Sequence, residues 1–460
     1  MFQKRKKKSG AKRDLFKNRF GFVLACIGSA VGMGNIWLFP RRVAAFGAPF
    51  LIAYLICVIV IGFSGVIGEM SFGRSMRAGT MGAFEGAMYR RDESGQRGSK
   101  GVGTVLSVIP VLGSLALAIG YSVVVGWIIK YLIGVIDGSA LAAGSVDEFW
   151  GYFGATASGF GNIVWHLVGL VITFFILIFG VSQGIEKANK VFMPVFFVLF
   201  IVVAVYISTL TGAAEGYRYM FSVSDWSMLA SGTMWKYALG QAFFSLSLAG
   251  SGTLVYGSYI KDDVNVPRSA AAVALFDTLA AFVAALAIIP AVYSAGIDFN
   301  AEITSGPGLM FVYLPKIFQQ MPGGRTISII FFVAVLFAGL SSLINLFEAP
   351  IEALQTKFKI RRIPAVAAVL GTGTLIAVFI SDIVSDWMDI CSIYICPIGA
   401  LLAAVMFFWV CGKGFAEKEI AKNCANPKTS VVFANLGRYV FCGLTILVLV
   451  LGSLTSGGIG

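Results

Sequence analysis

The sequence predicts an all-α polytopic membrane protein, and three observations carry the prediction. The 460 residues are 58% hydrophobic and 13% charged, with a mean hydropathy of +0.85. A soluble domain is roughly 45–50% apolar and about 25% charged. Apolar runs recur from residue 21 to residue 451, enough for about 11 transmembrane helices at ~20 residues per crossing. Basic residues fall almost entirely on one side of the topology those runs define, as the positive-inside rule requires.

A basic tail, residues 1–19, precedes the first run and carries Lys4, Arg5, Lys6, Lys7, Lys8, Lys12, Arg13, Lys17 and Arg19. Beside a membrane span such a tail sets orientation and meets anionic lipid, so it is not read as a nucleic-acid surface. Nor is it a signal peptide, since the run that follows is broken at its middle, lacks a small-residue cleavage site and is followed by many more. The predicted spans are 21–43, 50–72, 104–136, 163–182, 191–210, 234–260, 269–294, 326–354, 363–380, 387–411 and 432–451. With the N-terminus in the cytoplasm, only Arg41, Arg42, Lys130, Arg218, Lys236, Lys316 and Arg325 of the 35 Lys and Arg residues fall outside. That asymmetry favours an odd number of spans and an outer C-terminus.

Several chemistries are excluded. A single histidine, His166, makes a histidine metal site or a Ser-His-Asp triad untenable. The seven cysteines are scattered without a CxxC, so no disulfide scaffold is expected. No nucleophile–base pair stands out, and the chain is not read as an enzyme.

The first and sixth spans are unusual. The first runs Cys26, Ile27, Gly28, Ser29, Ala30, Val31, Gly32, Met33, Gly34, Asn35, and the sixth carries Gln241, Phe243, Phe244, Ser245, Ser247, Gly250 and Gly252. Glycine costs about 1 kcal/mol in a helix interior, and non-helical backbone at membrane depth persists only where it is buried or lines a cavity. Close packing through the Gly28/Gly32 pair would explain the glycines. It explains Asn35, Gln241, Ser245 and Ser247 less well. Interruptions five spans apart predict two inverted five-helix repeats, 20–210 and 211–412, with a midplane site between them. Residues 413–460 add a cytoplasmic loop and a peripheral eleventh span. Asp277, inside the seventh span with no basic neighbour there, needs a partner, since an unpaired carboxylate costs at least ~2.5–3.5 kcal/mol at a helix centre. A sodium ion or a proton would serve.

The motifs, in order, resemble the neurotransmitter:sodium symporters in their bacterial amino-acid branch. They are Gly28 to Trp37 followed by Phe39 and Pro40; Glu69 to Arg74; Tyr121 with Trp127; Gly184 to Lys187 with Met193 and Pro194; Gln241 to Ser247; Gly257 to Tyr259; and Ala338 to Ser342. The resemblance covers nearly the whole chain after the tail. It implies sodium-coupled symport of a hydrophobic or aromatic amino acid across a bacterial plasma membrane by alternating access, with unwound helices 1 and 6. An amino-acid sensor without turnover and a proton-coupled carrier remain the alternatives.

By the same resemblance there are two Na⁺ sites. The first takes Ala30, Asn35, Ser245 and Asp277 with the substrate carboxylate. The second takes the carbonyls of Gly28, Val31 and Ala338 with the hydroxyls of Ser341 and Ser342. A serine pair in an apolar span has a plainer reading, back-bonding to the preceding turn. Many relatives are neutral at the Asp277 position and bind chloride, and their chloride serine falls on Ala281 here; no chloride is expected. The substrate site comprises Ala30, Gly32, Met33, Gly34, Leu117, Tyr121, Phe244, Ser245, Ser247, Gly250, Ser342 and Leu346. Gly32 replaces the aspartate of amine carriers, and Gly250 replaces a bulky residue, which implies room for large side chains. Gating falls to Arg13, Phe16, Tyr259 and Asp389. The chain departs from the family pattern at Leu38, where an outer arginine is usual, and at Thr356, where an inner aspartate is usual; Glu348 and Glu352 stand nearby without an assigned role. The expected partners are the amino acid and the lipid bilayer, in a monomer or weak homodimer that binds no nucleic acid.

Overall fold

The computed structural model describes residues 14–90, 98–223, 225–297, 306–424 and 426–454. Arg13 and the residues before it lie outside them, as do 455–460. Every regular element among the described residues is helical.

Seven helices are each long and apolar enough to cross a membrane, and Arg19–Ala30 with Gly34–Phe46 forms an eighth crossing bent by 56°. The unbroken ones include Ala48–Met76, Lys100–Asp137, Val181–Ser208, Val266–Ser294 and Gly324–Phe358. Ile163–Ile178 is a shorter apolar helix between the third and fifth spans. The sixth span is in two pieces, Gly232–Ser245 and Gly252–Gly257. The eleven predicted crossings are compatible with this order.

One continuous helical stretch, Arg362–Val410, contains a reversal. Arg362 donates to the Leu177 carbonyl at its start. Gly159 lies against Asp382 in the short turn Ser381–Ile383. After the turn Trp387 donates to the Ala116 carbonyl, and Gly399 lies against Pro110. The chain therefore descends along Lys100–Asp137 in the opposite sense, from residue 116 toward 110. The predicted ninth and tenth spans are a hairpin with almost no loop.

Local chemistry sets the ends. Asn18 caps Arg19–Ala30 by accepting from Gly21 N at 2.8 Å. Lys100–Asp137 stops on Gly138 at φ 95°, a backbone geometry glycine adopts without a Cβ penalty. The third and eighth spans run together through the centre of the molecule. Ser114 Oγ donates to the Leu346 carbonyl at 2.8 Å, and Gly339 faces Val125 and Ile128. The face on which the chain enters at Asp14 is called the tail side below, and the opposite face the far side.

Candidate functional site

Both interruptions are tied by side chains. In the first span, Val31 is extended (φ −69°, ψ 114°). Gly32 N donates to Asn35 Oδ1 at 3.0 Å, so Asn35, inside the helix that restarts at Gly34, reaches back to hold the unwound backbone. In the sixth, Ser247 sits at φ 54° and Gly250 at φ 70°. A serine in that region is strained by about 1–3 kcal/mol unless its surroundings hold it. Ser247 Oγ donates to the Ser29 carbonyl at 2.6 Å. Gln241 Nε2 donates to the Gly34 carbonyl at 2.9 Å, so the two breaks are laced together. Glu69 in the second span accepts from Gly250 N at 2.8 Å and from the Thr253 hydroxyl. Its carboxylate replaces the helix bonds the unwound backbone lacks.

Beside the breaks lies a carboxylate pocket. Asp277 is fully buried. Its Oδ1 accepts from Asn35 Nδ2 at 2.8 Å and its Oδ2 from Ser245 Oγ at 2.7 Å. Asn35 Nδ2 also reaches Ser245 Oγ at 3.1 Å, and Tyr54 Oη reaches it at 3.4 Å. These donors are neutral, so an ionised Asp277 leaves one net negative charge in the pocket. Among the described residues the side chains that hydrogen-bond it are the Asn35 amide and the Ser245 and Tyr54 hydroxyls. That is a donor set for a hard cation. Among the described residues no group of three or more His, Cys, Asp or Glu side chains could hold a metal. Ala281, one turn on, is buried and supplies no hydroxyl.

A second, neutral pocket joins the first and eighth spans. Ser342 Oγ lies 3.0 Å from the Val31 carbonyl, 3.3 Å from that of Gly28 and 3.4 Å from that of Ser29. Ser341 Oγ donates back to the Ala338 carbonyl at 2.9 Å. Three of the five predicted contributors, Gly28, Val31 and Ser342, thus meet at the Ser342 hydroxyl, while Ser341 and Ala338 are bonded to each other along their own helix.

A cavity of about 50 Å³ opens between these pockets. The predicted residues on its wall are Ala30, Gly32, Met33, Gly34, Leu117, Tyr121, Phe244, Ser247, Ser342 and Leu346. Met33 N donates to Tyr121 Oη at 3.0 Å. A Cβ on Gly32 would lie 2.4 Å from that hydroxyl and 2.9 Å from Ser342 Oγ, so no larger residue fits without displacing both. Two predicted residues are not on the wall. Ser245 faces Asp277 in the carboxylate pocket. Gly250 turns outward, where a Cβ would come within 2.1 Å of the Gly399 carbonyl oxygen. Its glycine character serves the turn and this close approach rather than cavity width. Ser29, Phe243, Leu248, Ala249, Ser251, Gly252, Asn345 and Cys396 also line the cavity, beyond the residues expected there.

Met33, Tyr121 and Phe244 also floor a far-side cavity of about 320 Å³. Trp37, Leu38, Arg41, Trp127 and Asp389 are among its other walls. Tyr121 and Phe244 therefore stand between an inner and an outer chamber. Arg41 and Asp389 both line the outer chamber, and the charge of Arg42 also acts on Asp389. The Arg42 guanidinium stacks 3.6 Å from the Tyr237 ring centre.

The tail side is filled. Phe16 N donates to the Tyr259 carbonyl at 3.1 Å, and the Phe16 ring packs on Phe22, Tyr256 and Tyr259. Tyr259 Oη donates to Glu348 Oε1 at 2.7 Å. Arg362 grips the same carboxylate with Nη1 at 3.0 Å and Nη2 at 2.7 Å. Asp14 Oδ2 accepts from Val181 N at 2.6 Å and Ser182 N at 3.2 Å. Thr356 donates to Glu352 at 2.7 Å. Arg13 lies outside the described residues. In the sequence Arg362 counts only as an orientation charge and Glu348 has no role; 14 residues apart, they meet because the eighth span ends and the next begins on this side.

Residues 13–151 and 143–456 match the Sodium:neurotransmitter symporter family. The chain is 32% identical over 333 residues to the uncharacterized sodium-dependent transporter YhdH of Bacillus subtilis (strain 168), covering 72% of this chain and 70% of that one. It is 29% identical over 437 residues to an uncharacterized sodium-dependent transporter of Methanocaldococcus jannaschii, covering 89% and 84%. The solved structure of MhsT in complex with L-phenylalanine superposes with a TM-score of 0.82 at 31% identity, covering 95% of this chain and 99% of that one.

Proposed function

The chain belongs to the Sodium:neurotransmitter symporter family, and on that premise we propose that it couples inward sodium movement to uptake of a neutral amino acid by alternating access, without chloride. The observation that carries the reading is Asp277. A fully buried carboxylate, held only by neutral donors and touching both Asn35 and Ser245, is a charge waiting for a small cation. Na⁺ would sit between Asp277, Asn35, Ser245 and the Ala30 carbonyl. A second Na⁺ would sit among the carbonyls of Gly28, Val31 and Ala338 and the two serine hydroxyls. Because Asp277 brings its own negative charge, no chloride ion is needed.

The amino acid occupies the inner chamber. Its carboxylate lies at the start of Gly34–Phe46, where the helix dipole favours an anion, beside the Tyr121 hydroxyl. Its ammonium meets carbonyls near Ala30 and Phe244. MhsT holds L-phenylalanine in its solved complex, which supports an amino-acid ligand here. Far-side entry passes the outer chamber and the Tyr121–Phe244 pair. Release requires the Phe16–Tyr259–Glu348–Arg362 plug to part. Sodium bound beside both broken helices favours the substrate-binding state, and substrate then tightens sodium by the same factor. The charge asymmetry supports a tail side facing the cytoplasm.

The test is uptake of labelled amino acids into proteoliposomes under an inward Na⁺ gradient, an inward H⁺ gradient or neither, with chloride replaced by gluconate. Uptake driven by Na⁺ alone and insensitive to gluconate is expected. Uptake driven by H⁺ would turn Asp277 into a proton site. Sodium-dependent binding without uptake would make the protein a sensor.

A further inference from the structure

The fifth span carries a polar group that neither ion pocket uses. Asn189 is fully buried on Val181–Ser208. Its Nδ2 donates to the Ile185 carbonyl one turn back, at 2.9 Å. Its Oδ1 has no hydrogen-bond partner among the described residues. That oxygen is aimed at the first span. A Cβ on Gly28 would lie 2.0 Å from Asn189 Oδ1 and 3.0 Å from Ser341 Cβ. Gly28 and Ser341 both belong to the neutral pocket, so the orphan oxygen sits at its border.

The fifth span starts on the tail side, where Val181 N and Ser182 N donate to Asp14 and Lys17 N donates to Glu186 Oε2 at 2.8 Å. The first span starts there too, with Gly21 against Glu186 and Gly28 against Asn189. Gly28 precedes Val31, so Asn189 meets the pocket at its tail-side end, in the seam between the two helices. The seam is shut, and the bare Cα of Gly28 is what lets the helices touch. On either side of Asn189 the fifth span is weak. Val181–Ile185 is wound as a wider π turn, a geometry common at functional sites. Pro194 has no N–H for the Lys190 carbonyl.

A buried carbonyl oxygen without a partner is costly. An amide oxygen is also a neutral, hard ligand of the kind that hard cations take. A cation leaving the Gly28 and Val31 carbonyls toward the tail side enters this seam, and without an oxygen partner there it meets a large desolvation cost. We propose that Asn189 Oδ1 is the exit ligand of the second sodium ion, the oxygen that receives the ion from the Gly28 carbonyl as the first and fifth spans part. This rests on the transport reading above and adds to it a residue outside the resting pocket.

The experiment compares two variants of the full chain, with a labelled mixture of neutral amino acids as reporter. Equilibrium binding is titrated with sodium at pH 8, and sodium-driven net uptake is timed in proteoliposomes. Asn189→Leu keeps the shape and removes the oxygen. Its maximal uptake rate should fall at least about tenfold, while half-saturating sodium in binding moves by less than about threefold. Asn189→Asp keeps the oxygen, loses the donor to Ile185 and adds a charge beside the ion. Its half-saturating sodium should fall at least about tenfold. An uptake rate unchanged in Asn189→Leu would overturn this inference alone. So would a sodium affinity that falls as far as the rate, which would make Asn189 part of the resting pocket. Should Asn189→Leu fail to fold, the Asn189→Asp titration decides, and an unmoved half-saturation places the oxygen away from the ion. No sodium-driven uptake by the unmutated chain would overturn the transport reading and this inference with it.

Discussion

The carboxylate pocket and the neutral pocket flank the same broken helix, yet they are built from different materials. One joins Asn35, Ser245 and the full charge of Asp277. The other offers only dipoles, the carbonyls of Gly28, Val31 and Ala338 and the hydroxyls of Ser341 and Ser342. A unit charge acts at a distance in a low-dielectric interior, whereas carbonyl dipoles act only when several converge. The carboxylate pocket should therefore depend on one residue, and the neutral pocket on the geometry of the break. On the two-ion reading proposed above, that difference fits one ion beside the substrate and another between the first and eighth spans.

The sharpest way to break the contrast is Asp277→Asn. Removing a charge about 4 Å from a cation loses about 4 kcal/mol at an effective dielectric of 20. Uptake measured against sodium concentration should shift its half-saturation at least about a hundredfold. A sodium dependence left intact would place the ion elsewhere.

Asn35→Ala comes next. It removes the acceptor of Gly32 N and a donor to Asp277 at once, so about 2–3 kcal/mol is at stake. Sodium affinity and substrate affinity should both fall about thirtyfold in binding assays, because Asn35 also ties the break beside the proposed substrate chamber. A loss confined to sodium would separate that tie from the ion.

Ser342→Ala sharpens the comparison on the neutral side. One hydroxyl among several dipoles contributes about 1 kcal/mol net, so apparent sodium affinity should drop about fivefold. Ser341→Ala should do least, under about threefold, because that hydroxyl already bonds the Ala338 carbonyl. An effect of Ser341→Ala larger than that of Ser342→Ala, read in the same sodium titration, would reverse the assignment of the two serines.

Much of this architecture is legible in the order of residues alone. The interruptions at 31–33 and 246–251 follow from glycines and small polar residues where a lipid-facing helix would carry leucine. The need for a partner at Asp277 follows from burial alone. The expected role of Gly250 fails because its position on the chain says nothing about which way an unwound backbone turns. Its φ of 70° points the missing side chain at Gly399, 149 residues away in sequence.

From the chain alone follow the medium, the order of the apolar runs, the side on which positive charge collects and the two places where helix gives way. Those properties are local, set by transfer free energy and backbone propensity over ~20 residues at a time. Which carboxylate meets which donor is a matter of packing. Packing bound Arg362 to Glu348, set Glu69 under the sixth-span break and folded Arg362–Val410 back on itself through three residues. Those choices rest on contacts between distant segments, where a hydrogen bond of 2.7 Å depends on how whole helices press against one another.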